Sequence, residues 1–117
     1  MNKYPICLSY CKKALEIRED GTIYKLMGKV HQGLNNTELA IRYFERSSKL
    51  QEHDSLLYLA EIFKNKNDTA RVLELYDQYL RVGEKNAKTV AEYLANYYEE
   101  QGNFIKMEEY RLIQNKL

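Results

Sequence analysis

One spacing recurs in this chain about every thirty-four residues, and it constrains the fold more than any other feature. In "LMGKVHQGLNNTELAIRYF", Leu26 to Phe44, the small residue Gly28 is followed by His31, Ala40 and Phe44 at gaps of three, nine and four. The same gaps place Ala60, Phe63, Val72 and Tyr76, and again Ala95, Tyr98, Met107 and Arg111. Upstream, Cys7, Cys11 and Ala14 fall on the second half of an earlier frame. A chain repeated at this period is one supersecondary unit copied, each copy covering the apolar face of the next. The small slot lets two helices approach, and the residue three positions later wedges beside it. The Cys7/Ala40/Val72/Met107 slot is small to medium on the facing helix. The Cys11/Phe44/Tyr76 slot fills the gap to the neighbouring unit.

Asn35, Asn67 and Gly102 each lie seven residues beyond the small slot. Asparagine and glycine accept a left-handed backbone, as a tight turn between helices requires. The expected architecture is therefore all-α: one domain over residues 1–117, built as a solenoid of about three and a half helix pairs. A lone second helix is predicted over 5–18, with Pro5 in its first turn. The full pairs are 22–33 with 37–50, 54–65 with 69–82, and 87–100 with 104–116, so the units span 22–50, 54–82 and 87–116. Joints fall at Asp20-Gly21 and Val82-Gly83, and N-caps are expected at Asn36, Asp54, Asp68 and Asn103.

Composition excludes several classes of function. The net charge is +1, too little to draw in nucleic acid or a membrane surface, so neither is expected as a partner. The longest apolar run, Leu56 to Ala60, is five residues, too short for a spanning helix or a signal-peptide core. Cys7 and Cys11 sit four apart on one helix, where a disulfide is geometrically poor. Two thiols point to a reducing compartment, nucleus or cytoplasm. With His31 the pair could supply three zinc ligands, but all three fall on packing slots and lack zinc-type spacing. No nucleophile–base constellation or phosphate loop is present. A non-catalytic chain without cofactor or metal is the expectation.

The frame resembles the tetratricopeptide repeat over the whole chain, which implies a right-handed superhelix with a concave groove. The pentatricopeptide RNA readers share a similar period, but RNA binding favours a basic surface. Three stretches carry a narrower resemblance: "YPICLSYCKKALEIRED" (Tyr4–Asp20), "LLYLAEIFKNKNDTARVLELYDQYL" (Leu56–Leu80) and "EYLANYYEEQGNF" (Glu92–Phe104). They resemble the C-terminal repeats of the scaffold subunits of the anaphase-promoting complex, or cyclosome, of the cell-division-cycle twenty-three (subunit eight) type. The resemblance implies a scaffold in a cell-cycle ubiquitin ligase, with other cyclosome subunits or a coactivator as partners. Members of that family are several times longer and dimerise through N-terminal repeats that have no counterpart here.

In this register the groove is lined by Lys25, Lys29 and Gln32 on the first pair. Leu57, Tyr58, Glu61, Lys64 and Asn65 line it on the second, and Thr89, Glu92, Tyr93, Asn96 and Glu99 on the third. The face is basic at one end and acidic at the other, so a peptide of mixed charge would lie in one direction. An arginine-containing coactivator motif would meet Glu61, Glu92 and Glu99, with Tyr58 or Tyr93 against its apolar residues. The alternative is a generic adaptor or co-chaperone-like module. Of the clamp pattern such modules use on a C-terminal carboxylate, only Lys25 matches. The 5–18 helix is expected to expose the face of a missing partner, giving self-association through Ile6, Tyr10 and Leu15. A chain beginning on a half unit reads as a fragment of a longer superhelix or as a compact product.

Overall fold

The computed structural model describes residues 4–82 and 86–116. Within them lie seven helices and no strand: α1 (Tyr4–Ile17), α2 (Gly21–Gly33), α3 (Thr37–Lys49), α4 (Asp54–Asn65), α5 (Thr69–Val82), α6 (Ala87–Glu100) and α7 (Phe104–Lys116). Every helix begins and ends within one residue of its expected position.

The three hairpin turns share one backbone solution. Asn35, Asn67 and Gly102 are left-handed, with φ of 62°, 60° and 75°. The following amides of Asn36, Asp68 and Asn103 donate to the carbonyls of His31, Phe63 and Tyr98 at 2.8, 2.9 and 2.9 Å. The left-handed residues themselves donate to Gln32, Lys64 and Glu99 at 3.0–3.1 Å. This is the Schellman arrangement, which satisfies the last carbonyls of the helix. The acceptor of the bond that spans five residues is in each case the residue three after the small slot, so the sequence repeat is also a repeat of hydrogen bonds.

Three of the four expected N-cap residues hold the cap position, and two of these make a side-chain cap bond. The Asp68 carboxylate accepts from Arg71 N at 3.3 Å, and the Asn103 side-chain oxygen from Lys106 N at 3.2 Å. Asn36 makes no cap bond; its amide lies 3.4 Å from His31 Nδ1. Asp54 sits inside the first turn of α4, and His53 holds the cap position without a side-chain bond. There the chain enters α4 through Gln51, itself left-handed at φ 72°, so backbone geometry sets the start of that helix. Asp20 caps α2, accepting from Thr22 N at 2.7 Å. Of the joint expected at Val82-Gly83, Gly83 lies outside the described residues.

Backbone contact is most extensive within the hairpins α2/α3, α4/α5 and α6/α7. It is thinner across the joints α1/α2 and α3/α4, and thinnest across α5/α6. All substantial backbone contacts join helices adjacent in sequence, and the molecule extends over 49 × 26 × 21 Å. The core runs through Phe44, Leu59, Val72, Tyr79 and Leu94. Ala60 and Ala95 occupy the small slot wholly buried, and at Gly28 a methyl group would lie 2.6 Å from the Phe44 ring. A buried polar link was not foreseen. Ser47 Oγ donates to the Gly21 carbonyl at 2.7 Å and shares a 2.6 Å bond with Ser55 Oγ. It ties the start of α2, the end of α3 and the start of α4 together.

Helix α1 lies on α2 through buried Cys11, with Leu15 half-buried on the same side. That corrects one expectation. Ile6 and Tyr10 point outward as foreseen, but Leu15 follows Cys11 by four residues and so turns inward. Ile17 takes its place on the open face. No described helix is long and apolar enough to cross a membrane.

Candidate peptide-binding face

The first helices of the three pairs, α2, α4 and α6, are linked by the same device used twice. Phe44 of α3 stacks on Tyr58 of α4, with ring centroids 5.2 Å apart and planes 7° from parallel. Lys29 of α2 places its ammonium 4.7 Å from the centroid of the Tyr58 ring. One unit on, Tyr76 of α5 meets Tyr93 of α6 edge to face at 5.0 Å. Lys64 of α4 lies 5.1 Å from the Tyr76 centroid and 4.6 Å from that of Tyr93. Tyr58 and Tyr93 each precede the small slot by two residues, so the register delivers both to the same place. Aromatic pairs of this geometry contribute about 0.5–1.5 kcal/mol beyond their buried area, and a cation over an open ring about 0.5–1 kcal/mol.

The charges on this face are more committed than their sequence suggests. Lys25 pairs with Glu52 at 3.1 Å, and the Thr22 hydroxyl donates to the same carboxylate at 2.9 Å. These two bonds, Lys25's first, hold the Glu52 carboxyl below its usual range against the opposing effect of burial. At Lys64, burial disfavours the ammonium, but the Tyr76 hydroxyl, Tyr93 and Glu61 outweigh it and hold the group above its usual range. Arg111 Nη2 donates to Asn96 Oδ1 and to Glu99 Oε2, both at 2.8 Å. Arg111 stands on α7 at the slot where Phe44 and Tyr76 stand on α3 and α5. With no aromatic there, it reaches back to the first helix of its own pair.

The structure thus brings Lys29 to Tyr58 and Lys64 to Tyr93. It leaves Glu61 and Glu92 exposed and Leu57 half-buried on the same helices. It assigns Asn96 and Glu99 to Arg111, and Lys25 to Glu52. Gln32 and Asn65 share a shallow depression with Asn35, Thr37, Ile62 and Lys66 at the turn end of α2 and α4. Glu52, which no register position announced, lies in the joint before α4. Its one sequence signal is an acid within reach of Thr22 and Lys25 across the hairpin.

Elsewhere the reactive residue types serve packing. His31 is buried and stacks on Tyr43 at 5.4 Å. Burial, and then the charge of Lys12 on α1, lowers its pKa. Burial likewise raises the Cys11 thiol, with Cys7 adding to the effect, so it stays protonated and weakly nucleophilic. Among the described residues no group of three His, Cys, Asp or Glu side chains is placed to hold a metal ion. No protein-family model and no curated protein sequence matches the chain.

Proposed function

We propose that this chain is a non-catalytic scaffold of tetratricopeptide type whose α2–α4–α6 face receives an extended polypeptide. The observation that carries the reading is the paired lysine–aromatic link, Lys29 on Tyr58 and Lys64 on Tyr93. It sets three successive first helices side by side and leaves Tyr58, Tyr93, Glu61 and Glu92 at least partly open along them. Half-open rings offer apolar contact, and the exposed carboxylates offer charge-assisted bonds to a cationic side chain. A ligand's arginine is received by Glu61 and Glu92; Glu99 already holds that of Arg111. The three matching Schellman turns support the repeat reading, since they give successive units the same internal geometry.

The resemblance of Tyr4–Asp20, Leu56–Leu80 and Glu92–Phe104 supports reading this scaffold as a subunit, or part of one, of a cyclosome-type ubiquitin ligase. Its ligand is then a coactivator or subunit segment, and its compartment the nucleus or cytoplasm. The test is affinity purification of the tagged chain from its own cells with mass spectrometry, beside a Glu61→Lys/Glu92→Lys variant. Cyclosome subunits or coactivators recovered by the wild type and lost by the variant support both the assembly and the face. A chaperone or unrelated assembly lost by the variant keeps the face and leaves the generic adaptor reading. Partners indifferent to both reversals overturn the face.

A further inference from the structure

The two end helices carry matching outer stripes. On α1, Ile6, Tyr10, Lys13 and Ile17 follow at gaps of four, three and four and so share one face. Ile6, Tyr10 and Ile17 are 61%, 71% and 89% exposed. On α7, Ile105, Glu109, Leu112 and Lys116 repeat those gaps, with Ile105 80% and Leu112 52% exposed. Lys13, Glu109 and Lys116 are exposed and stand outside the ion pairs found among the described residues. Charge is divided along the chain. Residues 1–50 hold nine basic and five acidic side chains, and residues 51–117 nine basic and twelve acidic.

We propose that the α1 stripe of one copy docks antiparallel on the α7 stripe of a second copy. In that direction Ile17 meets Ile105, Lys13 meets Glu109, Tyr10 meets Leu112, and Ile6 lies along the aliphatic stem of Lys116. In the parallel direction Tyr10 faces Glu109 and Lys13 faces Leu112, so polarity selects the antiparallel pairing. Pairing α1 with itself, or α7 with itself, forms no ion pair. The shallow depression lined by Pro5, Ile6, Ser9, Tyr10 and Lys13 receives Leu112. The contact joins two different surfaces, so it propagates from copy to copy unless the geometry closes a ring. A single helix pair buries less than a standard interface, so association depends on concentration. The contact is separate from the α2–α4–α6 face and does not depend on what that face binds.

Sedimentation velocity of the full chain, from roughly 10 μM to 1 mM, tests this. The wild type rises with concentration from its 13.9 kDa monomer. Ile17→Asp blocks the α1 stripe and Ile105→Asp the α7 stripe, and each variant alone stays monomeric with unchanged far-ultraviolet circular dichroism. Mixed, they retain one intact stripe each and form a dimer and nothing larger. Lys13→Glu or Glu109→Lys weakens association, and the double swap restores it. A wild type that remains monomeric throughout overturns the proposal. So does association that survives Ile105→Asp, or a mixture that stays monomeric; either result gives the α1 stripe a different occupant.

Discussion

Replacing Gly28 by alanine sets two effects of opposite sign against each other. Within a helix, alanine is favoured over glycine by about 1 kcal/mol. Against that, the new methyl would lie 2.6, 2.7 and 2.9 Å from three atoms of the Phe44 ring, where unstrained carbon contacts sit at about 3.5–4 Å. The ring must retreat by about 1 Å to restore such contacts. Phe44 is wholly buried and lies flat on Tyr58, whose ring carries Lys29, so a retreat disturbs the joint between two units. Overpacking of this kind costs about 1–3 kcal/mol, and a weakened ring stack up to about 1 kcal/mol more. Once the helix preference is subtracted, the expected net loss is about 0–3 kcal/mol, with a middle value of about 1.5 kcal/mol. Urea unfolding followed by circular dichroism reads it as a lower midpoint at unchanged slope. Phe44→Leu in the same chain removes the obstructing ring, so Gly28→Ala becomes favourable in that background and the two changes are non-additive. Gly33→Ala is the comparison, because its methyl meets the outer end of the exposed Tyr4 side chain rather than a wholly buried ring. A Gly28→Ala chain more stable than the wild type would mean that α2 and α3 separate freely, and would refute the close-packing role of the slot.

Ala95→Leu should cost about 1–3 kcal/mol, since Ala95 is wholly buried against α7 and its neighbours. Glu92→Lys should leave the melting temperature nearly unchanged while weakening ligand binding, and equal behaviour of these two variants would refute the division between core and face. Ser47→Ala strands the buried Ser55 hydroxyl at a cost of about 1–3 kcal/mol; chemical denaturation should show the Ser47→Ala/Ser55→Ala double costing less than the summed singles. The lowered pKa of His31 makes the folded state bind its proton less readily than the unfolded chain. Stability should therefore fall as pH drops below about 6.5, where the unfolded imidazole takes its proton. Melting temperatures from about pH 7 to 5 should lose that part of their slope in His31→Phe.

Much of the fold was legible because it rests on local chemistry that recurs. Gly28, Ala60 and Ala95 mark close approach whatever surrounds them, and Asn35, Asn67 and Gly102 mark left-handed turns. Between them they mark the turn of each hairpin. The joints were less legible, because spacing there varies and unlike residues solve the problem. Gln51 takes a left-handed backbone that its residue type does not advertise, and the Ser47–Ser55 link depends on how two units dock. On the candidate face the register placed the residues but not their commitments. Arg111 was visible as a departure from the packing frame, yet its bonds to Asn96 and Glu99 follow from the reach of its side chain across a hairpin. Ile17 could have been found from spacing alone, eleven residues beyond Ile6 on the same stripe.

The Lys64 ammonium lies over one ring from α5 and one from α6, across the joint with the thinnest backbone contact. In mechanical terms a single side chain works there as a clasp. Acetylation or removal of that one charge would leave both flanking hairpins intact and slacken the bend between them. The spacing of Tyr58 and Tyr93 would then vary, and under the proposed function a ligand lying along them would meet a looser frame.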